Sequence, residues 1–169
     1  RSHGAFILGC SGTDLTQAEA RFFREADPWG FILFARNVET PQQLQRLTAQ
    51  LREAVGRDAI ITVDQEGGRV QRLTAPQWRQ WLPPLDQSAK VAENGKDAAR
   101  AMYLRYRIIA AELRASGLDS NCAPMVDIAM AQTHPFLRNR CYGQDLQTVV
   151  ALAQAAAAGL SDGGVVPVA

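Results

Sequence analysis

Between Asp64 and Arg72 the chain sets two carboxylates, Asp64 and Glu66, beside the glycine pair Gly67-Gly68 and two arginines, Arg69 and Arg72. An ionised aspartate accepts hydrogen bonds from neighbouring hydroxyls, and each guanidinium presents a planar fork of donors. The combination suits a polyhydroxylated or acidic ligand. Adjacent glycines add backbone freedom and allow an approach that a side chain would block. Just before them, Ile60-Ile61-Thr62-Val63 is a run of β-branched and apolar residues that fits a strand buried on both faces. Asp64 then emerges at the carboxyl end of that strand, where α/β folds build their sites. The competing reading is a salt-bridged loop that closes off a core strand, because structural ion pairs gather at such places too.

The elements around this segment alternate. Short apolar runs separated by amphipathic helical patterns are the mark of repeated βα units on a parallel sheet. Strands are predicted at Ala5 to Leu8, Gly30 to Phe34, Ala59 to Val63, about Ser120 to Val126, and from Val165 to Ala169. Thr16 and Glu19 form a capping box that opens a helix running to about Ala26, and Asp27-Pro28 stops it. Thr40-Pro41 starts another, with Leu44, Leu47, Leu51 and Val55 at helical spacing and Gly56 at its end. From Asp97 to Ser116 a long helix carries Met102, Tyr106, Ile109 and Leu113 on one face, with Gly117 as its stop; a last, alanine-rich helix spans about Leu146 to Leu160. Thr74 to Asp86 reads as a long ordered loop over the open end of the sheet. Its Trp78 and Trp81 either stack on a sugar or pack the loop onto the body, since their spacing is also one helical turn. Asp127 is expected to leave the fourth strand as Asp64 leaves the third.

At this point the residues carry a resemblance. Asp64-Gln-Glu-Gly-Gly-Arg-Val-Gln-Arg72 resembles the signature of family 3 glycoside hydrolases, specifically the bacterial β-N-acetylhexosaminidases of cell-wall recycling. The likeness continues through Gly30-Phe-Ile-Leu-Phe-Ala-Arg-Asn37, Asn121-Cys-Ala-Pro-Met-Val-Asp127 and Arg138-Asn-Arg-Cys-Tyr-Gly143, in the family's order and at about its spacing. It implies a TIM (β/α)8 barrel. Such a barrel needs eight strands and ~250 residues, and five strands are countable, so residues 1–169 are expected to be the N-terminal part of a single (β/α)8 domain, truncated after about five strands. Two unpaired sheet edges and poor stability alone follow from that.

The resemblance also implies an activity: hydrolysis of terminal non-reducing β-linked N-acetylglucosamine from peptidoglycan-derived fragments, by a retaining mechanism with a covalent glycosyl intermediate. Matched positions make Asp64 the carboxylate that grips sugar hydroxyls, with Arg72 and Arg140 as the arginines beside it. No catalytic residue is expected within this chain. The family's acid/base histidine lies in a Lys-His-x-Pro-Gly-His-Gly segment, and its aspartate nucleophile comes later still, so both would fall beyond Ala169. Glu66 is expected to point away from Asp64 and to serve the structure. Asp127 and Arg138 rank lower as ligand contacts, and for Asp127 a structural role, such as pairing with Arg138 or Arg140, stands beside ligand contact as an alternative. Cys141 and Tyr142 depart mildly from the family pattern, and Cys141 would make the site sensitive to thiol reagents if exposed. No cofactor and no metal are implied. The complete protein is expected to be a monomer whose partner is a small carbohydrate, an N-acetylglucosamine-containing cell-wall fragment. The alternative is a non-catalytic sugar-binding or regulatory remnant of the same barrel.

Bulk properties narrow the classes further. With 47% hydrophobic residues the 169-residue chain can fill a core, and 18 basic against 17 acidic residues leave a net charge of +1. Nothing there draws in nucleic acid or an anionic membrane. No apolar stretch approaches the ~20 residues of a membrane span, and Arg1-Ser2-His3-Gly4 lacks the pattern of a secretory leader, although the missing initiator Met leaves room for an upstream segment. Cys10, Cys122 and Cys141 are odd in number and widely spaced, which argues against a disulfide framework or zinc site and suits the cytoplasm. His134, before Pro135, is expected to fix a turn. A nucleotide-binding reading of Gly9-Cys10-Ser11-Gly12 is weak, because no phosphate-loop spacing or lysine accompanies it.

Overall fold

In the computed structural model, which describes residues 3–169, the chain runs through β1 (Gly4–Leu8), α1 (Gln17–Ala26), β2 (Pro28–Leu33), a short 3-10 turn (Ala35–Asn37), α2 (Pro41–Val55), β3 (Ile60–Val63), β4 (Gln65–Gly67), β5 (Val70–Gln71), α3 (Pro84–Glu93), α4 (Ala98–Ala115), β6 (Ser120–Asn121), α5 (Pro135–Arg138), α6 (Leu146–Asp162) and β7 (Val166–Pro167). Arg1 and Ser2, part of the start expected to show no leader pattern, lie outside the described residues.

Helix boundaries follow local chemistry. The Thr16 hydroxyl accepts from the Glu19 amide while the Glu19 carboxylate takes the Thr16 amide, so α1 opens on the expected capping box. It ends on Asp27, left-handed at φ 45°, whose carboxylate lies 3.0 Å from His3 Nδ1. Thr40 and Pro41 start α2 and Gly56, at φ 67°, ends it. Asp97 and Asp145 cap α4 and α6.

Packing then orders the layers. β1, β2, β3, β6 and β7 form one sheet in that order, every pair parallel, and β4 and β5 make a separate antiparallel hairpin. This is the expected α/β arc, with its five strands side by side and the barrel not closed. Alternate strand residues Phe31, Leu33, Ile61 and Val63 are fully buried together with Leu44, Leu47 and Leu51 of α2 and Tyr106, Ile109 and Leu113 of α4. Each such side chain contributes about 1.5–3 kcal/mol by leaving water. The opposite parity, Ile7, Ile32, Ile60, Thr62, Ser120, Cys122 and Val166, lines the concave side.

Two expectations need correcting. The fourth and fifth strands are shorter than predicted, because Pro124 and Pro167 cannot donate to a ladder. Hydrogen bonds from Cys122 N to Val63 O and from Val168 N to Ala123 O still hold the extended chain in line. The stretch assigned wholly to loop ends in a helix, α3, for Pro84 stands at its first turn. Leu85, Ser88, Ala89 and Ala92 fall on one face of it, a pattern with too little apolar weight to stand out.

Candidate functional site

Parallel strands deliver their carboxyl ends to one edge, and β3 sends the chain past Val63 into Asp64 and the β4–β5 hairpin there. Buried Gln65 laces that hairpin: its side chain accepts from the Arg72 and Leu73 amides at 3.0 and 3.1 Å and donates to Leu73 O at 2.9 Å. Asn121, at the end of β6, accepts from Gln65 N and donates to Gln65 O, so two strands clamp the same residue. Gly67 ends β4 at φ 114° and Gly68 opens the turn into β5 at φ 59°, conformations that other residues rarely adopt.

The result is a hollow of about 490 Å³ lined by Asp64, Glu66, Arg69, Val70, Arg72, Phe136 and Arg140, within the ~300–1,000 Å³ range of ligand sites. All three residues singled out from sequence, Asp64, Arg72 and Arg140, stand around it. Arg72 Nη2 donates to Asp64 Oδ2 at 3.0 Å, and Arg140 grips Glu66 with two bonds, Nη2 to Oε1 at 2.7 Å and Nε to Oε2 at 2.9 Å. Side-chain accessibility separates their roles: Asp64, Arg72 and Arg140 keep 23%, 26% and 25%, Glu66 only 5%. The first three keep surface open toward the hollow, and Glu66 keeps almost none.

Glu66 corrects the sequence reading. It lines the same hollow as Asp64 instead of turning away, as residues two apart on an extended segment share a face. Both carboxylates are committed as acceptors to guanidinium groups, and the paired Glu66 charge raises the Arg140 pKa. The arrangement therefore offers acceptors to hydroxyl groups and cationic donors to hydroxyl or carbonyl oxygens.

Phe136 was missed. Its ring lies under the Arg69 guanidinium, 3.6 Å from carbon to ring centroid, and completes one wall of the hollow. No local pattern marks an exposed aromatic on a four-residue helix.

Other expectations resolve individually. Asp127 is exposed and makes no ion pair among the described residues, because Arg138 donates to Met130 O at 2.6 Å and Arg140 is taken by Glu66. His134 does fix a turn, its ring nitrogen accepting from the Phe136 amide. Trp78 belongs to the core and donates to Ser116 Oγ at 3.3 Å, while half-buried Trp81 packs against that core and under Arg105, so the packing alternative holds for both. Cys141 is fully buried with its thiol pKa raised by burial, which removes the condition for thiol sensitivity there. In the loop after β1, Ser11 N donates to the Glu19 carboxylate at 2.8 Å, leaving a negative charge where a phosphate would have to sit.

A polar hollow at the carboxyl edge of a parallel βα arc is how (β/α)8 enzymes place their binding groups. Residues 13–169 match the family description "Glycosyl hydrolase family 3 N terminal domain", and the chain belongs to that family. It is 36% identical over 159 residues to a protein of Stenotrophomonas maltophilia named Beta-hexosaminidase, covering 94% of this chain and 46% of that one. A Beta-hexosaminidase of Methylobacillus flagellatus is likewise 36% identical, over 98% of this chain and 47% of its own length. The chain thus spans a little under half the length of the curated relatives it matches. Among solved structures, native NagZ from Neisseria gonorrhoeae superposes with a TM-score of 0.86 at 30% identity over 96% of this chain and 47% of that one. The same protein in complex with N-trifluoroacetyl-D-glucosamine also gives 0.86, over 96% and 48%.

Proposed function

We propose that the full-length protein is a β-N-acetylhexosaminidase that removes terminal β-linked N-acetylglucosamine from peptidoglycan-derived fragments, and that this chain supplies the part that grips the sugar. Asp64 accepts from sugar hydroxyls, and Arg72 and Arg140 donate to sugar oxygens. One observation carries this: three charged side chains, each about a quarter accessible, converge on a single hollow at the carboxyl edge of the sheet. Relatives named Beta-hexosaminidase and a neighbour solved with a glucosamine derivative support the substrate class. The glycosidic bond breaks in two displacement steps, with water as the final acceptor and retention of configuration. The nucleophile and the acid/base group that the family resemblance implies are not among the residues of this hollow.

Asp64→Ala in the full-length protein tests the assignment. Losing a charged acceptor for paired hydroxyls costs about 3 kcal/mol, roughly a 100-fold fall in kcat/KM on a chromogenic N-acetylglucosaminide. Unchanged kinetics refute the role of Asp64. A second reading, sugar binding without turnover, draws on the commitment of both carboxylates of the hollow to guanidinium partners. Saturable N-acetylglucosamine binding with no hydrolysis by the full-length protein would favour it.

A further inference from the structure

Arg105 sits mid-helix in α4, in the interior with Met102, Tyr106, Ile109 and Leu113, and only 2% of it is accessible. Burying a guanidinium is costly unless its donors are met, and an apolar residue of similar size is usually at least as stabilising. No carboxylate pairs with it among the described residues. Instead Nη2 donates to the backbone oxygen of Glu66 at 2.5 Å and Nη1 to Gln87 Oε1 at 2.6 Å, with the Trp81 and Tyr106 rings 5.4 and 5.8 Å away. The neighbouring Tyr106, fully buried, donates to that same Glu66 oxygen at 3.4 Å and accepts from the Tyr142 hydroxyl at 2.6 Å.

These contacts converge on the two ends of one ion pair. Arg105 and Tyr106 hold the Glu66 peptide, and Tyr142 lies two residues beyond Arg140, the cation that the Glu66 carboxylate grips. Gly67 belongs to the same device: a Cβ there would strike the Arg105 guanidinium and lie 2.9 Å from Leu82 O. None of the three side chains lines the hollow.

We propose that Arg105, Tyr106 and Tyr142 are positioning residues, a buried clamp that fixes the Glu66 peptide and the Arg140 segment so that Arg140 is held aimed at the hollow. This deepens the sugar-site reading and rests on it for its purpose, though not for its geometry. The clamp acts through Arg140, and its loss is therefore felt at that guanidinium before anywhere else in the site.

Tyr142→Phe in the full-length protein removes one hydroxyl and keeps the ring. Hydrogen exchange of the Arg140 Nε–H, followed by nitrogen-15 NMR, is expected to quicken roughly 3- to 10-fold, the worth of one buried hydrogen bond. The Nε–H of Arg52, which donates to Ala59 O far from the clamp, serves as control and is expected to stay unchanged. Tyr106→Phe breaks the same chain from the other side and reproduces the effect. Unaltered Arg140 exchange in both variants overturns the proposal. A second readout is N-acetylglucosamine affinity in a double-mutant cycle: Tyr142→Phe should weaken binding roughly 3- to 10-fold alone and by under about 2-fold when Arg140→Ala is already present. Equal losses in both backgrounds would mean a general structural role and would also overturn it. If the unaltered protein binds no N-acetylglucosamine, the sugar reading fails, and Arg140 exchange alone still decides the clamp.

Discussion

Glu66 and Arg140, 74 residues apart in sequence, meet through two hydrogen bonds of 2.7 and 2.9 Å, with the carboxylate almost fully covered and the guanidinium a quarter accessible. The pair ties the β4–β5 hairpin to the segment that precedes α6. It converts a flexible arginine into a fixed wall of the hollow, with part of its surface still accessible.

Removing the charge from one side tests that tie. Breaking a buried ion pair costs about 3–5 kcal/mol, and the exposure of Arg140 lets water recover part of it. Glu66→Gln is therefore expected to lose about 1–3 kcal/mol, read as a lower urea midpoint with an unchanged slope. A midpoint equal to that of the unaltered protein would show that the pair does not hold the hairpin.

Gly67 is the backbone counterpart. At φ 114°, with the Arg105 guanidinium and Leu82 O against it, it has neither the conformation nor the space for a side chain. Gly67→Ala should cost at least about 1–3 kcal/mol from backbone strain alone, seen in thermal unfolding. An unshifted melting temperature would contradict the close approach.

Acid stability carries the mark of Glu19. Burial alone would raise its pKa, but hydrogen bonds from the Thr16 and Ser11 amides and hydroxyls outweigh it and hold the group down to about 2 against an ordinary 4.5. A lowered folded pKa means that the charged form is the one the fold favours, so its contribution is fully present above about 4.5 and lost as pH falls through about 2. The stability advantage of the unaltered protein over Glu19→Gln is expected to be level above that window and to shrink across it. A difference independent of pH through the window would rule out the linkage.

Thiol chemistry should be quiet. Burial, helped by the Glu19 charge, pushes Cys10 up to about 11, and burial raises Cys122 and Cys141 as well. Thiolate is the reactive form. Alkylation of the native protein near neutral pH, followed by mass spectrometry, should leave Cys10 and Cys141 unlabelled until denaturant is added. Prompt native labelling of Cys141 would mean that its segment opens.

Much of the fold was legible because its signals are local. Thr16 with Glu19, Thr40 with Pro41, Asp97 and the glycines at 56 and 117 mark helix ends through bonds spanning only a few residues. Periodicity marked the core faces of α2 and α4. The strands at 120 and 166 came out shorter than the apolar runs suggested, since prolines interrupt the ladder, and α3 hid behind two prolines that looked like loop.

From its sequence alone this chain determines where Asp64 emerges, for a β-branched run must end and a diglycine must turn, and both are effects of neighbours. Which way Glu66 faces, what Arg140 and Arg69 hold, and why an arginine lies inside α4 were decided only in three dimensions. Those contacts join residues far apart along the chain, and no period or spacing encodes a pairing that exists only once the sheet has brought two loops to the same edge.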